Sequence, residues 1–351
     1  MKVAVIGCGT IANAQHIPAY MNNEKAEIKY FCDVNLERAE AAVKQYGCGK
    51  AVKDYREVLA DSEVEAISIC TPNHMHCEIT VAALKAGKNV LCEKPAARTF
   101  EEALKMQEAQ HETGKVLNIG VVNRFNTVVN KVKQFIDDGE LGEVYQVYVS
   151  FRKRRSIPGL GGDFTNKDVA GGGVLIDWGV HFLDIVMYCC GDPEIKTVSA
   201  ETFSKLGNPI DDYVYTYMWA GPPKKDGVYS VEEGITGLVR TTGPVITVNG
   251  AWAENVDGGE DQRFIDFIGT KGGIRFNYEG YFTYYSTKNG MLTKTTFDML
   301  APSMFQQEID SFINCVESGE RLPSHIDTNI ITAKMMDAMY RSAQEHREVA
   351  F

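Results

Sequence analysis

Short apolar runs alternate with longer amphipathic stretches through the first third of the chain. The runs cover residues 2–6, 28–32, 66–70, 89–92 and 116–119, and helical patterns lie between them at 36–46, 76–86 and 99–112. Thr99 with Glu102 three positions on forms a capping-box pattern, and Gly87 follows the second helix as a stop. Continuously apolar strands are buried on both faces, so this alternation predicts a doubly wound parallel sheet, an α/β fold. After residue 122 the texture changes. Runs rich in β-branched and aromatic residues at 144–149, 214–219, 235–240, 245–252, 264–268 and 282–285 are separated by turn signals. Those signals include Thr242-Gly243-Pro244, Asp257-Gly258-Gly259, Lys271-Gly272-Gly273 and Lys288-Asn289-Gly290. They predict one large, mainly antiparallel sheet, with helices at 173–190 and 305–318 and a last helix at 330–346. The expected domains are 1–122 and 123–351.

Composition narrows the classes without changing that picture. A chain of 351 residues, 44% hydrophobic and 24% charged, is neither disordered, collagenous nor a disulfide miniprotein. With 36 Lys+Arg against 47 Asp+Glu, the net charge of −11 argues against nucleic acid or an anionic membrane as partner. None of the nine cysteines forms a C-x-x-C pair. Cys8, Cys32, Cys70 and Cys92 sit in apolar runs as small hydrophobes, and many free thiols suit a reducing cytoplasm. Met1-Lys2 leads straight into a strand, so no signal peptide is expected. The apolar stretch 174–190 is interrupted by Asp177, His181 and Asp184 and is not expected to span a membrane. His74 and His76 have no third ligand in view, so no metal site is expected.

Gly7-Cys8-Gly9-Thr10-Ile11-Ala12 follows the first strand and opens a helical stretch, as in G-x-G-x-x-A. Gly7 permits the tight turn, Gly9 lets backbone approach a pyrophosphate, and Ala12 lets helix pack on strand. The free N–H groups at the helix start then face the phosphates. Asp33 ends the second strand, where a carboxylate accepts from a ribose 2′-OH and repels a 2′-phosphate, which favours NAD over NADP. Thr71-Pro72-Asn73 ends another strand, on the edge where such sheets collect ligands.

Taken with that loop, three further blocks carry a family resemblance. They are Thr71-Pro72-Asn73 followed by His76, Ala86 to Pro95 with its Glu93-Lys94-Pro95, and Gly171-Gly172-Gly173 leading to Asp177, His181 and Asp184. The chain resembles, over essentially its whole length, the glucose–fructose oxidoreductase / inositol dehydrogenase / MocA (Gfo/Idh/MocA) family. The resemblance implies a Rossmann domain followed by an α/β domain with an open-faced sheet commonly used for oligomerisation. It implies NAD(P)-dependent oxidation of a secondary alcohol on a sugar, glycoside or cyclitol, in some relatives with a cofactor that is never released. It places His76, Glu93, Lys94 and Arg124 with the cofactor and Asn123 near the nicotinamide.

Alcohol oxidation needs a hydride acceptor, a base for the hydroxyl proton, and donors for developing charge. His181 titrates near neutrality and can be the base. Asp177, four residues earlier on a helical pattern, shares its face and can bind a second hydroxyl. Lys94 can steady the alkoxide or exchange a proton. The resemblance assigns these parts to the same three residues. Asp184 on that face reads as structural. Arg152-Lys153-Arg154-Arg155 reads either as a solvated strand end or as a substrate loop in which Arg152 and Arg155 meet sugar hydroxyls or an acidic group. Trp252 and Asn255 line a sugar pocket or, for Trp252, belong to the core. The expected enzyme is a cytoplasmic, NAD-dependent sugar, glycoside or inositol dehydrogenase, with C3 of a glucose-like ring favoured by resemblance of the 152–159 segment. The alternatives are an NAD-dependent glycosidase using transient C3 oxidation and a non-catalytic NAD-binding regulator. A sheet with aromatic alternation at 213–217 and helices on one face predicts a homodimer or homotetramer through the other face.

Overall fold

The computed structural model describes residues 1–215, 218–256 and 262–351. The chain divides into two compact units, Met1–Phe125 with Pro302–Ile330, and Asn126–Ala301 with Ile331–Phe351. This differs from a single cut after residue 122, because segment 302–330 returns to the first unit. Packing is the reason. Ile309, Phe312 and Ile313 of the helix Met304–Ser318 are buried in one core with Val3, Val5, Ile17 and Phe31. The helix expected at 305–318 therefore covers the first unit's sheet, not the antiparallel one.

The first unit holds six parallel strands: β1 (Lys2–Ile6), β2 (Glu27–Cys32), β3 (Lys50–Val52), β4 (Ala66–Ile69), β5 (Asn89–Glu93) and β6 (Leu117–Gly120). Their order β3-β2-β1-β4-β5-β6 is the Rossmann arrangement. Helix starts are fixed locally. Asn35 Oδ1 accepts from the Glu37 N–H at 3.2 Å, and Thr99 Oγ1 from the Glu102 N–H at 3.1 Å. The Glu102 carboxylate reaches back to the Arg98 N–H at 3.1 Å rather than to Thr99. β3 is too short and polar to stand out in the sequence.

The second unit is built on a sheet of nine strands, β7 (Val144–Arg152), β8 (Ile195–Phe203), β9 (Gly234–Thr241), β10 (Val245–Ala251), β11 (Arg263–Gly269), β12 (Gly272–Asn277), β13 (Tyr281–Lys288), β14 (Met291–Phe297) and β15 (Val349–Ala350). Its order is β14-β13-β12-β11-β7-β10-β9-β8-β15. Only the β7/β10 pair is parallel among the neighbours. Val147, Val149 and Phe151 of β7 are buried with Val180, Leu183 and Val186 of the helix Val180–Cys189 and with Met335 and Met339 of the helix Ile326–Glu345. The stretch Lys167–Cys189, apolar and long enough by composition to cross a membrane, is largely buried here as a core helix. The opposite face carries Tyr148, Phe264, Asp266 and Arg275, with the Arg275 guanidinium 4.1 Å from the Phe264 ring and bonded to Asp266 at 2.6 Å.

One expected strand is absent among the described residues. Of the run 214–219, Thr216 and Tyr217 lie outside the described residues, as does the Asp257-Gly258-Gly259 turn. Val214, Tyr215, Met218 and Trp219 are irregular. The neighbouring residues are instead used by the loop after β7. Tyr213 Oη accepts from the Ile157 N–H at 3.3 Å and Met218 Sδ from the Leu160 N–H at 3.3 Å. The aromatic alternation at 213–217 is thus no sheet face among the described residues.

Candidate active site

In the first unit the loop after β1 is shaped as its glycines require. Gly7 has φ +93°, and a Cβ there would fall 2.5 Å from the Cys70 carbonyl oxygen. A Cβ on Gly9 would meet nothing within 4 Å, so the backbone there borders open space. The helix that follows begins at Thr10, which is exposed, and Ile11, half-buried, and it widens into a π turn at Ala12–His16. Ala12 is fully buried against the sheet. Asp33 closes the loop from β2. Its Oδ2 accepts from the Cys8 N–H at 2.9 Å and its Oδ1 from the Asn35 N–H at 2.8 Å. Two backbone donors thus fix the carboxylate beside the glycine turn. Burial, with Asp33 second, pushes the Cys8 thiol up to about 12, so it stays neutral. Thr71, after β4, has a buried Oγ1 with no protein partner. Open space at Gly9, an oriented carboxylate and an orphaned hydroxyl suit a dinucleotide.

The end of β5 leads into Lys94. The Lys94 N–H donates to Glu93 Oε2 at 3.0 Å, and the Lys94–Pro95 peptide is cis. His76 sits beneath, with Nδ1 2.8 Å from Pro95 O and Nε2 2.9 Å from Thr71 O. Burial holds its pKa below the ordinary imidazole value. His76 therefore ties Thr71-Pro72 to the Lys94–Pro95 turn through main-chain carbonyls. Asn73 starts the short 3₁₀ turn Asn73–Met75. Asn123 and Arg124 are buried in the turn Val122–Phe125, where the Arg124 guanidinium donates to Pro323 O at 2.7 Å.

In the second unit Asp177 lies in a π turn, Leu175–Gly179, which passes into the helix bearing His181. π turns are uncommon and concentrate at functional sites. The Trp252 indole N–H donates to Asp177 Oδ2 at 3.2 Å, and Trp252 is itself fully buried. Trp252 is thus both core and the orienting partner of Asp177. The half-buried His181 ring lies 6.4 Å from that of Tyr278, which stacks on Phe182 at 4.7 Å. Asp184 is buried and accepts from Thr332 Oγ1 at 3.3 Å, a structural contact. The start of this element is anchored by Glu232, whose carboxylate accepts from the Gly173 and Leu175 N–H groups at 2.9 and 3.1 Å and from Tyr340 Oη at 2.8 Å. A Cβ on Gly173 would fall 1.9 Å from Glu232 O. Two members of the basic cluster are already engaged. Arg152 pairs with Glu254 at 2.7 Å, and Arg155 donates to Glu254 O at 2.9 Å and to Asn255 Oδ1 at 2.5 Å.

Sequence reasoning singled out Lys94, Asp177 and His181 but missed their supports: His16 behind Glu93, Glu232 with Tyr340, and Tyr278 beside His181. Nothing local marks Glu232 or Tyr278. His16 had a signal, a histidine on the apolar face of the helix that follows a glycine loop.

Residues 1–121 match the model of an oxidoreductase family with an NAD-binding Rossmann fold, and residues 129–275 match the Gfo/Idh/MocA C-terminal domain. The chain is 30% identical over 348 residues to D-glucoside 3-dehydrogenase of Escherichia coli, covering 98% of this chain and 95% of that protein. It is 29% identical over 258 residues to levoglucosan dehydrogenase of Pseudarthrobacter phenanthrenivorans, covering 72% and 65%. Among solved structures, a levoglucosan dehydrogenase complex with NADH and levoglucosan shares the fold, with TM-score 0.86 at 23% identity over 100% of this chain and 99% of that one.

Proposed function

Because the chain belongs to the Gfo/Idh/MocA family of NAD-dependent oxidoreductases, we propose that it oxidises the C3 hydroxyl of a glucose-like ring carried as a neutral glycoside. The observation that carries this is the near-full-length likeness to a D-glucoside 3-dehydrogenase, in a chain that keeps Lys94, Asp177 and His181. The pairing of Arg152 with Glu254 supports a neutral substrate over a sugar phosphate, since that guanidinium is already neutralised.

The nucleotide, when bound, accepts the hydride from the carbinol carbon. Gly7, Gly9, Thr10, Ile11 and Ala12 form the phosphate loop, Asp33 takes the adenosine ribose, and Thr71, Pro72, Asn73 and His76 line the strand end. His181 removes the hydroxyl proton as the C–H bond breaks. Lys94 stabilises the alkoxide charge and exchanges a proton with it. Asp177, held by Trp252, accepts from a neighbouring hydroxyl and orients the ring. Glu93 and Arg124 shape the nicotinamide end through the backbone they hold, with Asn123 beside Arg124 in the same turn.

Nine free thiols suit a reducing compartment, and we place the enzyme in the cytoplasm. We assign the Tyr148–Phe264–Arg275 face of the second sheet to a homodimer or homotetramer contact, and light scattering that finds a monomer would refute it. A panel of glucosides, inositols and anhydrosugars, followed for both NADH and product, tests the activity. Stoichiometric NADH with a 3-keto product is expected. Glycoside cleavage without NADH would replace this reading with an NAD-dependent glycosidase.

A further inference from the structure

His16 lies one turn into the helix that starts at the phosphate loop, at the end of the π turn Ala12–His16, and it is 1% exposed. An extra residue in a helical turn rotates the following side chains by about 100° about the axis, and here the rotated residue points inward. Its Nε2 is 2.8 Å from Glu93 Oε1, and its Nδ1 is 3.2 Å from Ser68 Oγ, which is 2.7 Å from Tyr20 Oη. The second Glu93 oxygen accepts the Lys94 N–H at 3.0 Å. One set of protons satisfies this whole chain. Tyr20 donates to Ser68, Ser68 to Nδ1, Nε2–H to Glu93, and the Lys94 amide to Glu93.

We propose that His16 and Glu93 are positioning residues for Lys94, so that the helix that opens at the phosphate loop sets the pose of the lysine. The proposal rests on the reading of Lys94 as a participant in the reaction. Fixing the Lys94 amide fixes where its Cα–Cβ bond points.

The surroundings leave Glu93 as the dominant charge. Burial opposes its ionisation, but the hydrogen bond from His16, followed by the Lys94 charge and amide, outweighs it and holds the Glu93 carboxyl below its ordinary value. Several nearby titratable groups are driven toward their neutral forms. Burial raises the Cys70 and Cys92 thiols and the Tyr20 hydroxyl and lowers His76. Glu308, from the helix Met304–Ser318, is 1% exposed with neither oxygen partnered, and burial, then the Glu93 charge, push its carboxyl well up.

The test uses full-length Glu93→Gln, near-isosteric and uncharged, in single-turnover hydride transfer from a glucoside found active in the panel above, across a pH series. NADH affinity is measured alongside by fluorescence. The transfer rate should fall at least about tenfold at every pH of the series, while the NADH dissociation constant stays within about threefold. An unchanged rate, or a loss that appears equally in NADH affinity, overturns the proposal. If Glu93→Gln does not fold, His16→Ala and His16→Gln give the answer: the amide of glutamine still donates to Glu93, so it should recover rate that alanine loses, and equal rates refute the idea. Lys94→Ala separates the two failures. If it keeps the wild-type rate, the role of Lys94 is wrong. If it is inactive while Glu93→Gln behaves as wild type, only the positioning claim is wrong.

Discussion

Glu308→Gln should make the protein more stable as the medium becomes more alkaline. Both Glu308 oxygens are buried without a partner, beside an ionised Glu93, so the folded protein holds the carboxyl protonated well above its ordinary value of 4.5. Unfolding frees it to ionise. Between 4.5 and the raised folded-state pKa, the unfolded chain has lost a proton that the folded one keeps. Wild-type stability attributable to this residue is therefore complete below about pH 4.5 and falls by about 1.4 kcal/mol per pH unit above it, until the folded group itself titrates. Glutamine cannot ionise and escapes the loss. At about pH 4.5 the two proteins should differ only by the cost of exchanging an unpaired acid for an unpaired amide, within about 1–3 kcal/mol in either direction. The slope of the difference against pH is the diagnostic quantity, since other titrating groups cancel between the variants. Urea unfolding followed by far-ultraviolet circular dichroism, at half-unit steps from about pH 4.5 to about pH 8, measures it. A difference that stays constant over that range would show that Glu308 titrates normally, and the buried, unpaired carboxyl would have to be abandoned.

Three further outcomes are expected. Trp252→Phe removes the indole donor from Asp177 while keeping an aromatic core residue. A hydrogen bond to a charged group contributes about 1.5–3 kcal/mol, so kcat/KM should fall by roughly 10- to 150-fold, and steady-state kinetics showing wild-type values would refute the orienting role. His181→Ala should lower single-turnover hydride transfer by about 10²–10⁴ and leave NADH binding intact, because His181 and the nucleotide loop belong to different units; retention of most of the rate would move the base to Lys94. Asp33→Ala should erase most of the preference for NADH over NADPH in fluorescence titrations, and a wild-type protein that binds NADPH equally well would show that this carboxylate does not select against the 2′-phosphate.

The residues to which the chemistry is assigned are legible in the sequence because they form local patterns. Gly7, Gly9 and Ala12 announce themselves by spacing, since a tight turn with φ +93° and a backbone open to a ligand are properties of a few consecutive residues. Lys94 before Pro95, and Asp177 four positions before His181, are likewise short-range facts. Strands β1, β4, β5 and β6 were readable because each is short and buried almost throughout, and β2 because its end, Phe31 and Cys32, is buried. What the one-dimensional pattern could not hold were the partnerships. Trp252 was ambiguous between pocket and core until its indole N–H was found on Asp177, 75 positions away in sequence. Arg152 was ambiguous until Glu254 neutralised it. The run at 214–219 has strand-forming composition, yet among the described residues Tyr213 and Met218 serve the loop after β7, where tertiary packing overrides propensity. The helix Met304–Ser318 has an amphipathic face that fits either sheet, and only the closure of the Ile309, Phe312 and Ile313 cluster onto the first unit decided which. Sequence patterning determines which face of an element is apolar and which loop can bind a phosphate. It does not determine what that face meets, because burial free energy depends on area covered and not on the identity of the cover.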